Sequence, residues 1–183
     1  VMTGGKTVGY SGHGAGVFVT SGATVAIVNS AISDNSAPTF KVINLGGGIS
    51  NKGTLTLINT TVSGNRSGGI LNNGTLMLNS STVSGNQANF ESGGGGISNS
   101  GTATLINSTV SENDAGGGFG RGGGIYNHPS GTATLINTTV SDNDAYYEGG
   151  IYGPATLTNS IVLGNSAEIE NAEVSGAITE IGP

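Results

Sequence analysis

The chain has 183 residues, 35 of them glycine, with no cysteine, 9% charged residues and 5% aromatic residues. It is too poor in charge and too regular in Val, Ile, Leu and Thr for a disordered segment, and the missing cysteines exclude a disulfide framework and thiolate metal sites. A formal net charge of -6, with five Lys and Arg in all, offers no basic surface to nucleic acid or anionic lipid, and no apolar run reaches the ~20 residues of a membrane span.

Residues 1–14, VMTGGKTVGYSGHG, are Gly-rich and read as an edge or cap segment. From residue 15 to 167 the chain repeats itself, and such a period must be recognised before any other feature. The stretch GGGISNKGTLTLINTTVSGN at 46–65 returns as GGGISNSGTATLINSTVSEN at 94–113 and as GGGIYNHPSGTATLINTTVSDN at 122–143. Anchor isoleucines fall at Ile49, Ile70, Ile97, Ile125 and Ile151, spaced by 21, 27, 28 and 26 residues. A second anchor follows at Val62, Val83, Val110, Val140 and Val162, with a degenerate earlier copy at Ile32. Most of the length variation falls after the SGN or SDN triplet, in QANFES, DAGGGFGR and DAYYE.

Within the constant part, Leu55 and Leu57 alternate with Thr54 and Thr56, and Val62 is flanked by Thr61 and Ser63. Period two with β-branched residues predicts short strands, and no amphipathic helical pattern is present. Gly and Asn punctuate the strands. Three sets of Asn recur at equivalent places: Asn51, Asn72, Asn99 and Asn127; Asn29, Asn59, Asn107, Asn137 and Asn159; Asn35, Asn65, Asn86, Asn113, Asn143 and Asn165. In a solenoid, equivalent residues stack one strand spacing apart, ~4.8 Å, so their amides can hydrogen-bond along the axis and satisfy the corners. The expected fold is all-β, a parallel β-solenoid of about six coils, with Ile49, Leu55, Leu57, Val62 and their equivalents inward. The tail, 168–183, keeps strand character and reads as a C-terminal edge; an uncovered end is a template for another chain.

The pattern GGGI-x-N-x-GT-x-TL-x-NSTVSGN resembles the right-handed parallel β-helix repeats of bacterial surface and secreted proteins. It is also similar to the GGA(I/L) and FxxN repeats of polymorphic outer-membrane autotransporters, with Val here in place of the FxxN aromatic. The resemblance implies an extracellular or cell-surface location. It leaves function open, because that architecture hosts adhesins, stalks and polysaccharide lyases alike.

Four constellations could carry chemistry. Glu112, Asp114, Asp142 and Asp144 match in neighbouring coils, and stacked carboxylates suit Ca²⁺, unless they splay into solvent. Phe40, Phe90, Phe119, Tyr146 and Tyr147 all follow one corner; stacked, they would make an edge for sugar rings or a partner, or else cover their own apolar corner. Outward threonines, Thr54, Thr56, Thr102, Thr104, Thr132 and Thr134, form an array like that of an ice-binding face, broken by Met77 and Pro154. GFGRGG at Gly118 to Gly123 satisfies GxGxxG, but no βαβ unit surrounds it.

No catalytic set assembles from the sequence. Arg121 is the best-placed base for a polysaccharide lyase, and Asp142 with Asp144 a candidate glycosidase pair. The leading expectation is a non-enzymatic structural or adhesive rod that associates end to end or forms part of a longer stalk. Its partners would be itself, flanking segments or carbohydrate; a polysaccharide-acting protein and an ice-binding solenoid are the alternatives.

Overall fold

The computed structural model describes residues 2–3, 15–37, 46–88, 93–116, 118–169 and 171–181. Three 7-stranded parallel sheets run along one axis, and the chain visits each in turn, so six three-sided coils stack on one another. Face 1 comprises Val17–Val19, Ile49–Asn51, Ile70–Asn72, Ile97–Asn99, Ile125–Asn127, Ile151–Tyr152 and Val174–Ser175. Face 2 comprises Thr24–Val28, Thr54–Ile58, Thr75–Asn79, Thr102–Ile106, Thr132–Ile136, Ala155–Thr158 and Ile178–Ile181. Face 3 comprises Met2–Thr3, Ala31–Ser33, Thr61–Ser63, Thr82–Ser84, Thr109–Ser111, Thr139–Ser141 and Ile161–Leu163. The expected parallel β-solenoid is the observed fold.

Register follows the anchors. Ile49 pairs with Ile70, Ile70 with Ile97, Ile97 with Ile125 and Ile125 with Ile151, all 0–1% exposed. Leu55 and Leu57 on face 2 and Val62 on face 3 are fully buried, as are Leu78, Val83, Val110, Leu135 and Val140 in later coils. Each buried aliphatic side chain contributes roughly 1.5–3 kcal/mol, and every coil shares that contribution only with its two neighbours. A period-two strand inside a narrow triangle places alternate residues inward, so the TLTLI burial pattern is the strand rule made visible.

The corners are built from amides. In one ladder, Asn35, Asn65, Asn86, Asn113 and Asn143 each donate Nδ2 to the Oδ1 of the next coil's Asn, ending at Asn165, at 2.8–2.9 Å. The same Oδ1 accepts the backbone N–H of the preceding coil's Asn at 3.0–3.1 Å. In a second ladder, Asn51, Asn72, Asn99 and Asn127 are linked at 2.7 Å and fully buried. These two sets satisfy buried polar groups that would otherwise cost about 1–3 kcal/mol each.

The third set also stacks as expected, but on the outside of the coil: Asn59 Nδ2 donates to Asn29 Oδ1 at 2.8 Å, Asn137 Nδ2 to Asn107 Oδ1 at 3.1 Å and Asn159 Nδ2 to Asn137 Oδ1 at 2.7 Å. Asn29, Asn59, Asn107, Asn137 and Asn159 are exposed, and each holds a left-handed backbone with φ between 45° and 50°. Asn occupies this corner because its short amide tolerates that conformation, not because a buried group needs it. Ser80, with φ 49°, takes the same role in the intervening coil. The buried ladder at this corner is made by the next residue. Thr60 N–H donates to Ser81 Oγ at 3.1 Å, Ser81 N–H to Ser108 Oγ at 3.2 Å, and Thr138 N–H to Ser160 Oγ at 3.1 Å.

The Gly triplets have separate duties. Gly46, Gly94 and Gly122, three places before their anchor isoleucines, adopt φ of 60°, 79° and 60°. Gly48, Gly69, Gly96 and Gly124, last in their runs, lie so close to the next coil that a Cβ would stand 2.6–2.9 Å from its Gly carbonyl oxygen or the Asn ladder.

At the far end the first ladder is closed by a carboxylate. Glu173 Oε2 accepts Asn165 Nδ2 at 2.7 Å, and Oε1 accepts Gly164 N–H at 2.9 Å, so one side chain stands where the next Asn amide would. Face 3 is not closed in this way: among the described residues no strand lies beyond Ile161–Leu163, and Ile161 and Leu163 are 52% and 54% exposed.

Candidate functional site

The residue after each anchor isoleucine on face 1 leads away from the core. In successive coils this outer column reads Phe18, Ser50, Leu71, Ser98, Tyr126 and Tyr152. Strand pairing therefore fixes the two tyrosines one above the other. Their rings stack 5.1 Å apart with 7° between planes, close to the ~4.8 Å spacing of the strands that carry them. Tyr126 also rests on the preceding coil at Gly93, where a Cβ would stand 2.4 Å from the ring.

The variable loops bring further groups to this edge. Arg121 and Tyr147 form a parallel bridge, and Tyr147 N–H donates to Gly120 O at 2.9 Å, so the two loops pair like short strands. Arg121 lies 5.0 Å from the centroids of both Tyr147 and Tyr152, and its Nη1 donates to Tyr152 Oη at 2.9 Å. Tyr147 meets Tyr146 edge-on at 4.9 Å, and Tyr146 meets Phe119 edge-on at 6.1 Å. Phe119 is 61% exposed. Beneath them Glu148 is buried at 2% exposure with φ 39°.

The electrostatics suit a fixed cation. Burial pulls the Arg121 guanidinium down, but its hydrogen bond to Tyr152 and the pull of Tyr152, Glu148 and Tyr147 together leave it raised, and it carries its charge at any working pH. Burial pushes the Tyr126 phenol up, Tyr152 adds to the rise, and Arg121 opposes it. The cluster is thus a set of neutral aromatic faces around one guanidinium, an arrangement suited to stacking against a ring and donating to an acceptor on it.

Of the aromatic residues expected at this edge, Phe119, Tyr146 and Tyr147 do come together; Phe40 and Phe90 lie outside the described residues. Tyr126 and Tyr152 were not among the expected site residues. Their signal is the substitution of Ser in GGGISN by Tyr in GGGIYN and GGIYG. Arg121, the candidate lyase base, packs against Tyr147 and Tyr152.

The acidic quartet is split. Glu112 and Asp142 sit at the turn, with φ of 56° and 55°, while Asp114 and Asp144 form a separate column beyond the buried Asn113 and Asn143. Asp114 Oδ1 accepts Gly116 N–H at 2.6 Å and its Oδ2 accepts Gln87 Nε2 at 3.1 Å; Asp144 accepts the Ser166 hydroxyl. Among the described residues no group of three or more His, Cys, Asp or Glu is placed to hold a metal ion. The calcium cluster expected from sequence is not assembled, because an inward Asn separates each pair of carboxylates. For the same reason Asp142 and Asp144 flank one edge and do not face each other across a groove.

The threonines stack as ranks on face 2. Thr54, Thr75, Thr102 and Thr132 are in register, and Thr56, Thr104, Thr134 and Thr156 form a second rank interrupted by Met77, which is 41% exposed. Among the described residues no helix is long and apolar enough to cross a membrane. Comparison with known proteins found no matching family model, no matching curated protein and no matching solved structure.

Proposed function

We propose that the chain is a non-catalytic adhesive segment of an extracellular protein: a stiff solenoid that holds an aromatic edge toward carbohydrate. One observation carries the reading. Phe119, Tyr146 and Tyr147 on the loops and Tyr126 and Tyr152 on face 1 share one side of neighbouring coils, on strands that cannot shift without breaking register. Pre-ordered rings lose little conformational freedom on binding, so a small patch suffices for a sugar. The test is a screen of purified protein against extracellular polysaccharides, with the Phe119→Ala/Tyr146→Ala variant beside it. Binding to a glycan that falls at least about fivefold in the variant supports the reading. Binding to no polysaccharide, or binding indifferent to the substitutions, overturns it.

End-to-end association is a second reading, favoured by the open strand Ile161–Leu163. A groove of about 640 Å³ runs beside it, lined by Thr138, Thr139, Leu157, Ile161 and Ile181 among others. A further strand, from a second copy or a flanking segment, would pair there by β-augmentation. Glu173 already caps the first amide ladder, so the open edge is that of face 3. Electron microscopy with and without calcium tests it: filaments of solenoid width support association, and monodisperse short rods contradict it.

A further inference from the structure

We infer that the Arg121 cluster is a subsite for a single anionic sugar unit, with the guanidinium taking a carboxylate or sulfate and the flanking tyrosines taking the ring. The inference rests on the adhesive-edge reading and names what that edge selects.

Arg121 offers five N–H donors in a planar fork. Among the described residues its side chain makes one hydrogen bond, from Nη1 to Tyr152 Oη, and Nε and Nη2 have no acceptor among them. The side chain is nonetheless held in place, because Tyr147 and Tyr152 each lie 5.0 Å away and the backbone of its loop is bridged to Tyr147. A guanidinium that is fixed, charged and short of acceptors is prepared for a two-oxygen anion, and such charge-assisted bonds are roughly twice as strong as neutral ones. Buried Glu148 adds a favourable Coulombic pull on the guanidinium.

The dimensions favour a sugar over a protein. The cluster spans the coils carrying Gly93, Tyr126 and Tyr152, about 10 Å along the axis at ~4.8 Å per coil, so a square patch of that side covers only ~100 Å², far below the ~800 Å² per partner of a stable protein interface. Phe119 and Tyr146 continue the aromatic surface past Arg121, room for a neighbouring unit without charge. The surroundings limit the charge of the ligand. The chain carries a net charge of -6, and Asp114 and Asp144 line the adjoining corner, so a dense polyanion is repelled while one isolated anionic unit is accepted.

The experiment is calorimetric titration of the full chain with three disaccharides of matched linkage: one bearing a uronate, one bearing a sulfate ester, and the uncharged parent. At least one acidic disaccharide is expected to bind about tenfold more tightly than the parent, with the advantage shrinking as salt is raised. Which of the two binds tells carboxylate from sulfate. Arg121→Gln is expected to bring acidic and neutral ligands within about twofold of each other, and Arg121→Lys, which keeps the charge and loses the fork, to retain part of the preference. Tyr152→Ser weakens charged and uncharged ligands together. Equal binding of all three sugars, or a preference that survives Arg121→Gln, overturns this inference and leaves the adhesive reading intact. No binding by any sugar, combined with a failed polysaccharide screen, removes both.

Discussion

Ser50 and Tyr126 occupy the same place in their coils, one residue past an anchor isoleucine that is 0–1% exposed. Around Ser50 the coil is closed: the residue is 0% exposed, and its Oγ is buried with no hydrogen-bond partner among the described residues. Around Tyr126 the coil is open, with a half-buried ring that stacks on Tyr152 and borders Arg121. The inward anchors, the Asn ladders and the strand register are common to both coils. The backbone of a coil is therefore specified by what points inward, and the outward position is free to carry something else. That separation lets one repeat serve as filler in some coils and as a binding edge in others.

If this division holds, the two kinds of position respond to substitution very differently. The largest loss is expected for Asn113→Ala, which removes the acceptor of Asn86 N–H and Nδ2 and the donor to Val83 O, all buried. At roughly 1–3 kcal/mol for each buried group left unsatisfied, denaturant unfolding should show a loss of about 3 kcal/mol or more. Leu105→Ala follows, at about 2–5 kcal/mol for a cavity in a column that is 1% exposed. Asn137→Gly, at the exposed corner with φ 49°, should change stability by less than about 0.5 kcal/mol, whereas Asn137→Ala loses about 1 kcal/mol to the left-handed backbone. Ser50→Ala sharpens the contrast from the other side. It deletes an unpartnered buried hydroxyl and should be neutral or stabilising by up to about 1 kcal/mol, read as a raised melting temperature.

Alkali gives the smallest effect. The Tyr126 phenol is raised above its ordinary value of 10.0, so the stability it contributes is fully present below pH 10 and lost as the pH climbs through the folded value. Tyr126→Phe should flatten that part of the stability profile; an unchanged alkaline slope would show that the stack does not govern it.

The core was legible in the sequence because period-two alternation and fixed anchor spacing leave one inward solution for Ile49, Leu55, Leu57 and Val62. The amide ladders were legible in part. Asn59 and Asn65 recur with equal regularity and both donate to a stacked Asn, yet one is an exposed left-handed corner and the other a buried rung, and recurrence alone does not separate the two. The acidic quartet misled for a similar reason: Glu112 and Asp114 are close in sequence, but the residue between them turns inward and sends them to different columns. The site was half legible. Phe119, Tyr146 and Tyr147 stand out in loops of varying length, whereas Tyr126 and Tyr152 sit inside the constant part and acquire meaning only through stacking across coils and contact with Arg121.

The separation of scaffold from edge is tested most directly by titrating the Tyr126→Ser/Tyr152→Ser double variant with the glycan that the native chain binds. Both substitutions install the residue that sister coils already carry. The variant should melt within about 5 °C of the native chain, since an aromatic pair contributes only about 0.5–1.5 kcal/mol, and should lose the glycan. Full binding by the double variant would contradict the account, placing recognition elsewhere on the solenoid.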